Sequence, residues 1–327
     1  MAYQPAVTVT GLSGLNHVTA TYYNKVGLDV LEKNFRHAAL CEPDNLPTRS
    51  GATVQWFRYD SLAANTTPVT EGTVGTSVTL QSNTVSASVS QYADFVNFSD
   101  LVKDVAIDPI VENGARRLGY RLGLTVDTLV RTELETVNSS VDEDPVGSYF
   151  SAADCRKIRA LLAAADVQPK DNGYFMAIAS PYVTYDLIND PTVGGFIDMS
   201  RFTRPEKLET MQDRGLVGRV GGVEVWESTN VATSGSSPNT KYHVTIVGKG
   251  ACGIVDLAGR GVASMRNKTS ADGMPIKVIM GGPQIADPAG VIGAAASYNV
   301  VFVTKLLRTG SADYRFRIVE ADSSITT

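Results

Sequence analysis

The feature that most limits how this chain can fold is the run from Ser61 to Asn83, which is dominated by Ser, Thr, Gly and Ala, with only scattered Leu and Val. Such a run reads as unable to pack a core, and a loop this long inside a compact domain is uncommon unless it is functional or disordered. Strand signals bracket it. Thr53-Val54-Gln55-Trp56-Phe57-Arg58-Tyr59 is rich in β-branched and aromatic residues, and between Thr84 and Gln91 the residues Val85, Ala87 and Val89 alternate with Ser86, Ser88 and Ser90. Together they predict one long hairpin. Two strands alone are marginal in water, so this hairpin needs a partner outside itself to be ordered.

The strongest helix signal follows the hairpin. Asp108 suits an N-cap and Pro109 the first helical position, and Val111, Ala115, Leu118, Leu122, Val126, Leu129, Leu134 and Val137 form one stripe. A helix over 109–137 would be roughly 43 Å long. Gly114, Gly119 and Gly123 each weaken it by about 1 kcal/mol relative to Ala, which is best tolerated where something packs closely or the helix bends. Upstream, residues 1–20 read as an extended arm. Val26, Val30, Leu31, Phe35 and Ala38 then predict a helix from Tyr22 to Leu40, ended by Pro43 and Pro47.

Downstream the rhythm is α+β. Ser151 with Asp154 resembles a capping box and opens a helix to Ala165, Tyr174 to Ala179 reads as a buried strand, and Ser180-Pro181 starts a helix through Ile188. A short helix is expected at Pro205 to Asp213. Gly221-Gly222 between Val217–Val220 and Val223–Trp226 is a two-residue hairpin signal, and Ser234 to Asn239 reads as a surface loop. Further strands are expected at Thr245–Val247, Ile276–Met280, Asn299–Thr304 and Tyr314–Val319. No internal repeat is present.

With 327 residues the chain should form one large or two modest domains. Charged residues make up 19%, below the usual quarter, which fits either a surface partly covered by neighbouring copies or one made soluble by Ser, Thr and Asn. A net charge of −5 argues against a sequence-independent grip on nucleic acid, so any DNA contact should be incidental. No run approaches 18 apolar residues and Met1-Ala2-Tyr3-Gln4-Pro5 lacks the blocks of a signal peptide, so the protein is expected to be soluble, not exported and free of membrane. Cys41, Cys155 and Cys252 are far apart and odd in number, as expected of reduced thiols, and predict no disulfide framework.

Few constellations could carry chemistry. Gly248-Lys249-Gly250-Ala251-Cys252-Gly253 fits the G-x-G-x-x-G dinucleotide fingerprint, with Asp272 near the required distance. Too little chain follows for a doubly wound sheet, and Gly259 and Gly261 interrupt any helix there, so a glycine-rich loop and no cofactor are expected. His17, His37 and His243 lack metal-ligand partners at helical spacing and read as surface or packing residues. Glu133 with Glu135, and Asp142 to Asp144, read as solvated charge. Arg116, Arg117, Arg121 and Arg131 stud the long helix. They read either as a solvated face or as a surface for an acidic partner, for which a neighbouring copy's loop with Asp60 and Glu71 is a candidate.

Three blocks of sequence carry a family resemblance: Leu46-Pro47-Thr48-Arg49-Ser50-Gly51 with Val54-Gln55-Trp56; Ser90-Gln91-Tyr92-Ala93-Asp94-Phe95 with Ser99-Asp100-Leu101; and Arg219-Val220-Gly221-Gly222-Val223-Glu224-Val225. In their order, with Asp108-Pro109 before the long helix and Ser180-Pro181 before the Tyr185 helix, they resemble one branch of the major capsid proteins of tailed bacteriophages. The resemblance covers nearly the whole chain and none of its motifs is catalytic. It implies an α+β Hong Kong 97-like fold: residues 1–46 an N-terminal arm and helix, 47–95 an extended loop, 96–169 a peripheral domain with the spine helix, 170–280 an axial domain, and 281–327 a return to the peripheral domain.

It further implies a non-enzymatic subunit, assembled in the host cytoplasm, that forms hexamers and pentamers of an icosahedral virion shell around double-stranded DNA. Scaffolding, portal and decoration proteins are the implied partners. The short N-terminal region is expected to leave no room for a long built-in scaffolding segment, so shell-size control would come from a separate scaffolding protein or from very little help. Residues 47–95 contain no Lys, so locking between subunits is expected to be noncovalent. Arg58, Asp60 and Glu71 on the loop, with Arg116, Arg117, Arg121 and Arg131 on the helix, are the candidate intersubunit residues. Two other readings remain: a nucleotide-binding oxidoreductase built around Gly248 to Gly253, and an encapsulin-like compartment shell of the same fold.

Overall fold

The computed structural model describes residues 7–8, 36–105, 110–137, 141–147, 149–190, 216–235, 240–258, 276–280, 292–308 and 314–325. Along them the chain forms β1 (Val7–Thr8), a 3-10 turn (His37–Leu40), β2 (Glu42–Leu46), β3 (Thr53–Tyr59), β4 (Ser82–Ser88), β5 (Ser90–Ser99), α1 (Asp100–Val105) and α2 (Ile110–Glu135). Next come β6 (Asp142–Glu143), α3 (Ala152–Ala164), β7 (Phe175–Ala179), α4 (Pro181–Ile188), β8 (Leu216–Val220), β9 (Val223–Glu227) and β10 (Thr233–Ser234). The chain continues through β11 (Lys241–Val247), β12 (Cys252–Leu257), β13 (Ile276–Met280), β14 (Ile292–Leu306) and β15 (Phe316–Ala321). The architecture is α+β.

Two larger sheets organise these elements. The six-stranded sheet runs β1-β5-β14-β12-β2, with β13 also paired to β14; the seven-stranded sheet runs β6-β15-β11-β7-β9-β8, with β10 on β11. The fifteen-residue β14 is the axis of the first, pairing along one side with β5 and along the other with β13 and then β12. The expected segments 170–280 and 281–327 each supply strands to both sheets.

The spine helix α2 has 26 residues, about 39 Å of axis. Its apolar stripe buries Ala115, Leu118, Leu122, Val126, Val130 and Leu134, against Phe98 of β5 and Ala294, Ala296, Tyr298, Val300 and Phe302 of β14. Gly114 answers the question its presence raised: a β-carbon there would collide with Cζ of Phe98, so the ring seats directly on the helix backbone. The expected cap Asp108-Pro109 lies outside the described residues, as do the helix expected at Pro205 to Asp213 and most of the one expected from Tyr22. Where that last helix can be seen, at His37–Leu40, it is a single 3-10 turn.

The stretch with Pro43, taken as a helix stop, is strand β2, parallel to β12 with Glu42 opposite Gly253. It sits at the sheet edge, where a residue without an N–H can be accommodated. The same pairing corrects the cysteine reading. Because Glu42 faces Gly253, the residues just before them are brought side by side, and Cys41 and Cys252 form a disulfide with their Cα atoms 4.7 Å apart. Their 211-residue separation hides this from any local motif. Such a link typically adds about 2–4 kcal/mol. Cys155 is a free, buried thiol whose pKa burial pushes up to about 12.

The seven-stranded sheet follows its sequence signals more closely. Gly221 and Gly222 have φ of +58° and +88°, as the tight β8–β9 turn requires. Ser151 donates from N–H and Oγ to Asp154 Oδ2, both at 2.8 Å, to start α3. On one face of this sheet, Ile158 and Leu162 of α3 and Val183 and Leu187 of α4 pack with Phe175, Val225, Val244 and Ile246. Ile178, Val247, Phe316 and Ile318 instead join the core of the spine helix.

Two polar junctions fasten the spine helix to its surroundings, and both involve histidines expected to be surface or packing residues. At mid-helix, Asp127 is 1% exposed. It accepts hydrogen bonds from the His37 backbone N–H at 2.7 Å, from Arg36 N–H at 3.2 Å and from Asn230 Nδ2 at 2.8 Å, and His37 Nδ1 stands 2.7 Å away. Burial alone would raise the Asp127 pKa; the hydrogen bond and charge of His37, then Asn230, outweigh it and hold the carboxyl below its ordinary 3.8.

At the helix end, His243 of β11 is also buried, with Nδ1 2.8 Å from Glu135 and Nε2 3.4 Å from Glu320. Burial would lower its pKa, but the Glu135 hydrogen bond and the charges of Glu135, Glu320 and Asp142 raise it. Asp142 beside it is raised to about 6, first by burial and then by the charge of Glu320, with His243 pulling the other way. Asp142 is thus not the solvated charge expected from sequence. Lys241 lies 3.9 Å from Glu320 at the rim.

Two outcomes follow. Asp127→Ala would strand the buried donor of His37 and the half-buried one of Asn230, and should cost about 3–5 kcal/mol in urea denaturation. Because the folded pKa of Asp127 is depressed, its contribution is complete above 3.8 and is lost only as pH falls through the folded value. The second junction has the opposite sign. Ionised Asp142 costs stability at neutral pH and the cost fades as pH falls through about 6, while the His243 contribution is complete below its ordinary 6.5 and lost as pH rises through its elevated value. Asp142→Asn should therefore raise Tm by about 2 °C at neutral pH, with the gain shrinking towards pH 4. A gain that does not change with pH would show that the junction does not titrate.

Candidate interaction surface

The hairpin predicted from sequence is present, as β3 and β4 paired in register from Thr53 opposite Ser88 to Tyr59 opposite Ser82. It forms a two-stranded sheet of its own. Asp60 closes it: its N–H donates to Gln81 O at 3.0 Å, and its carboxylate accepts from Asn83 Nδ2 at 2.8 and 3.0 Å. Glu71 sits at the far end, exposed, in a turn held by Thr73 N–H to Thr70 O at 3.1 Å.

The apolar side chains of this arm are few, and the structure turns them outward. Phe57 is 70% exposed and Val74 98%, and Tyr59, Leu62, Val69, Val78 and Leu80 are all more than half exposed. The opposite face of β3 is anchored at its root. Trp56 lies over β12 so closely that a β-carbon on Gly253 would be 3.1 Å from its Cζ2.

The basic residues of the spine helix divide in two. Arg131 turns inward, its Nη1 donating to Asn230 Oδ1 at 2.9 Å and to Asn230 O at 3.2 Å, which ties it to the Asp127 junction. Arg121 reaches Asp94 of β5 at 2.8 Å while remaining 66% exposed. Arg116 pairs with Glu112 one turn back at 2.9 Å. Arg116 and exposed Arg117 line an open hollow of about 510 Å³ with Asn113 and Tyr120. Arg58 lies away from these, half-buried near the loop end of the β3–β4 ladder, beside a cavity of about 620 Å³ that Lys249 and Arg315 also line. Within one chain the structure does not bring the loop acids together with the helix arginines.

The glycine fingerprint has a different meaning in three dimensions. Residues 252–257 are strand, so no helix N-terminus faces the turn, as pyrophosphate binding through this motif requires. The turn carries the chain from β11 in the seven-stranded sheet to β12 in the six-stranded one. Gly248 meets Val167 where any side chain would collide, Gly250 has φ +68°, and Gly253 receives the Trp56 indole. Gly248 N–H donates to Arg315 O and Leu307 N–H to Ala251 O, each at 2.9 Å, so this crossing is bonded to the one between β14 and β15. Lys249 pairs with Asp171 at 2.6 Å, which lowers the Asp171 pKa and raises its own. Asp272 and His17 lie outside the described residues, among which no group of His, Cys, Asp and Glu could hold a metal ion. No described helix is long and apolar enough to cross a membrane.

The sequence matches no protein-family model and no curated protein. Solved structures do match. The capsid of Ralstonia phage GP4 superposes with a TM-score of 0.67 at 11% identity, over 100% of this chain and 95% of that one. The capsid of Cyanophage P-SCSP1u gives 0.56 at 14% identity over 99% and 93%, and the mature capsid of bacteriophage PhiM1 gives 0.55 at 13% over 98% and 92%. Likeness at these identities is a likeness of fold, and it extends from end to end. Spine helix, separate hairpin and two sheets joined by paired crossings are therefore the Hong Kong 97-type fold of tailed-phage capsid subunits.

Proposed function

We propose that this chain is the major capsid protein of a tailed bacteriophage, a non-enzymatic subunit that assembles into hexamers and pentamers of an icosahedral virion shell around double-stranded DNA. The observation that carries this reading is the hairpin arm, which extends seven large apolar side chains into solvent in a chain with a capsid fold. Exposed apolar surface on this scale marks an interaction site, and every copy carries the same arm, so a repeating lattice covers all of them at once. The outward-facing Arg116 and Arg117 offer a complementary surface for the exposed Glu71 of a neighbour. Assembly in the host cytoplasm, with scaffolding, portal and decoration partners, belongs to the same reading.

An encapsulin-like shell would share the fold and differ in its contents. Particles isolated from an infected host should contain nuclease-protected double-stranded DNA; particles filled with a protein cargo would replace the capsid reading.

Val74→Asp combined with Val78→Asp should leave the circular dichroism and melting of the free subunit unchanged while abolishing closed particles in electron micrographs. Arg116→Glu combined with Arg117→Glu should act more weakly, since each exposed ion pair contributes only about 0.5–1 kcal/mol, and its defect should vary with salt. Normal particles from both variants would place the contact elsewhere.

A further inference from the structure

We infer that Cys41 and Cys252 form a redox-operated clamp on the root of the hairpin arm, open as two thiols in a reducing environment and closed as a disulfide in an oxidising one. Cys41 directly precedes β2, the edge strand that leads into the hairpin. Cys252 opens β12, whose next residue is Gly253 beneath Trp56 of the arm. Among the described residues β2 pairs only with β12, from Glu42 opposite Gly253 to Leu46 opposite Leu257. Around the pair, Lys170 Nζ donates to Leu40 O at 2.7 Å and lies 3.8 Å from Glu42, and Gly250 N–H donates to Glu42 at 3.3 Å. The bond therefore ties three things at one point: the edge strand, the arm that follows it and the crossing between the two sheets.

Closure needs an oxidant, and a low-molecular-weight disulfide supplies it. One cysteine thiolate attacks that disulfide, releasing one small thiol and leaving a mixed disulfide on the protein. The second cysteine thiolate then displaces the other small thiol, so two protein thiols are oxidised to one S–S bond and the small disulfide is reduced to two thiols. Cys41 and Cys252 are 4% and 1% exposed, so exchange in either direction requires β2 to part from β12. The closed bond is consequently shielded from reductants. The timing rests on the capsid reading: subunits made among reducing thiols assemble with the clamp open, and it closes after release from the host.

The chemistry is testable on free subunits whether or not they assemble. Protein treated with oxidised glutathione should show one free thiol per denatured chain, from Cys155, and three after dithiothreitol. Oxidation should slow hydrogen exchange across 42–46 and 53–59 by about tenfold or more and raise Tm. Cys41→Ser and Cys252→Ser should each erase the difference between oxidised and reduced samples, and Cys155→Ser should retain it. Three free thiols after prolonged oxidation, or identical exchange in the two states, would overturn the clamp. Particle formation is scored separately, so loss of the redox effect in subunits that still assemble sinks this inference alone.

Discussion

A buried carboxylate at the middle of the spine helix sets the arrangement of everything around it. Asp127 is almost fully buried, so its charge must be met largely within the protein. It is met by groups from two distant parts of the chain: the turn at Arg36–His37 before the hairpin, and Asn230 after β9. Apolar packing along α2 would tolerate small slides of the helix against β14. A charge that needs several donors at once does not, and this fixes where the arm's root and the seven-stranded sheet meet the helix.

How far this could be read in the sequence depended on whether the determining contact was local. The hairpin, the spine helix, the Ser151 cap and the Gly221-Gly222 turn are set by neighbours along the chain, and all were legible. β2 was not, because Pro43 argues against a strand until the strand is known to lie at an edge. The Cys41–Cys252 bond and the Asp127 and His243 junctions were also invisible. Each joins residues far apart in sequence, and none leaves a spacing that a local motif could detect. Of the residues singled out for contact between copies, Glu71, Arg116 and Arg117 are exposed in the single chain, whereas Asp60 and Arg131 are engaged within it. The stronger feature, the outward turn of Phe57, Tyr59 and Val74, could not be read from a segment that looked merely poor in apolar residues.

The Gly248–Gly253 turn illustrates how a motif match can mislead. The fingerprint uses glycines for a tight turn and for close approach, and this turn needs glycines for the same physical reasons. What approaches here is Val167, Arg315 and Trp56. Only the element that follows separates the two cases, and it is a strand.

The order in which the strands are threaded bears on how the protein comes off the ribosome. β14 is the axis of one sheet, and β15 lies between β6 and β11 in the other, yet both are synthesised after every other described strand. Neither sheet can close until residues 292–321 have left the exit tunnel, and long-range pairing of this kind is slow to form. Until then the growing chain lacks the scaffold that seats the spine helix. The arm, with its exposed apolar side chains, is thus carried on an unfinished body until residues 292–321 have emerged.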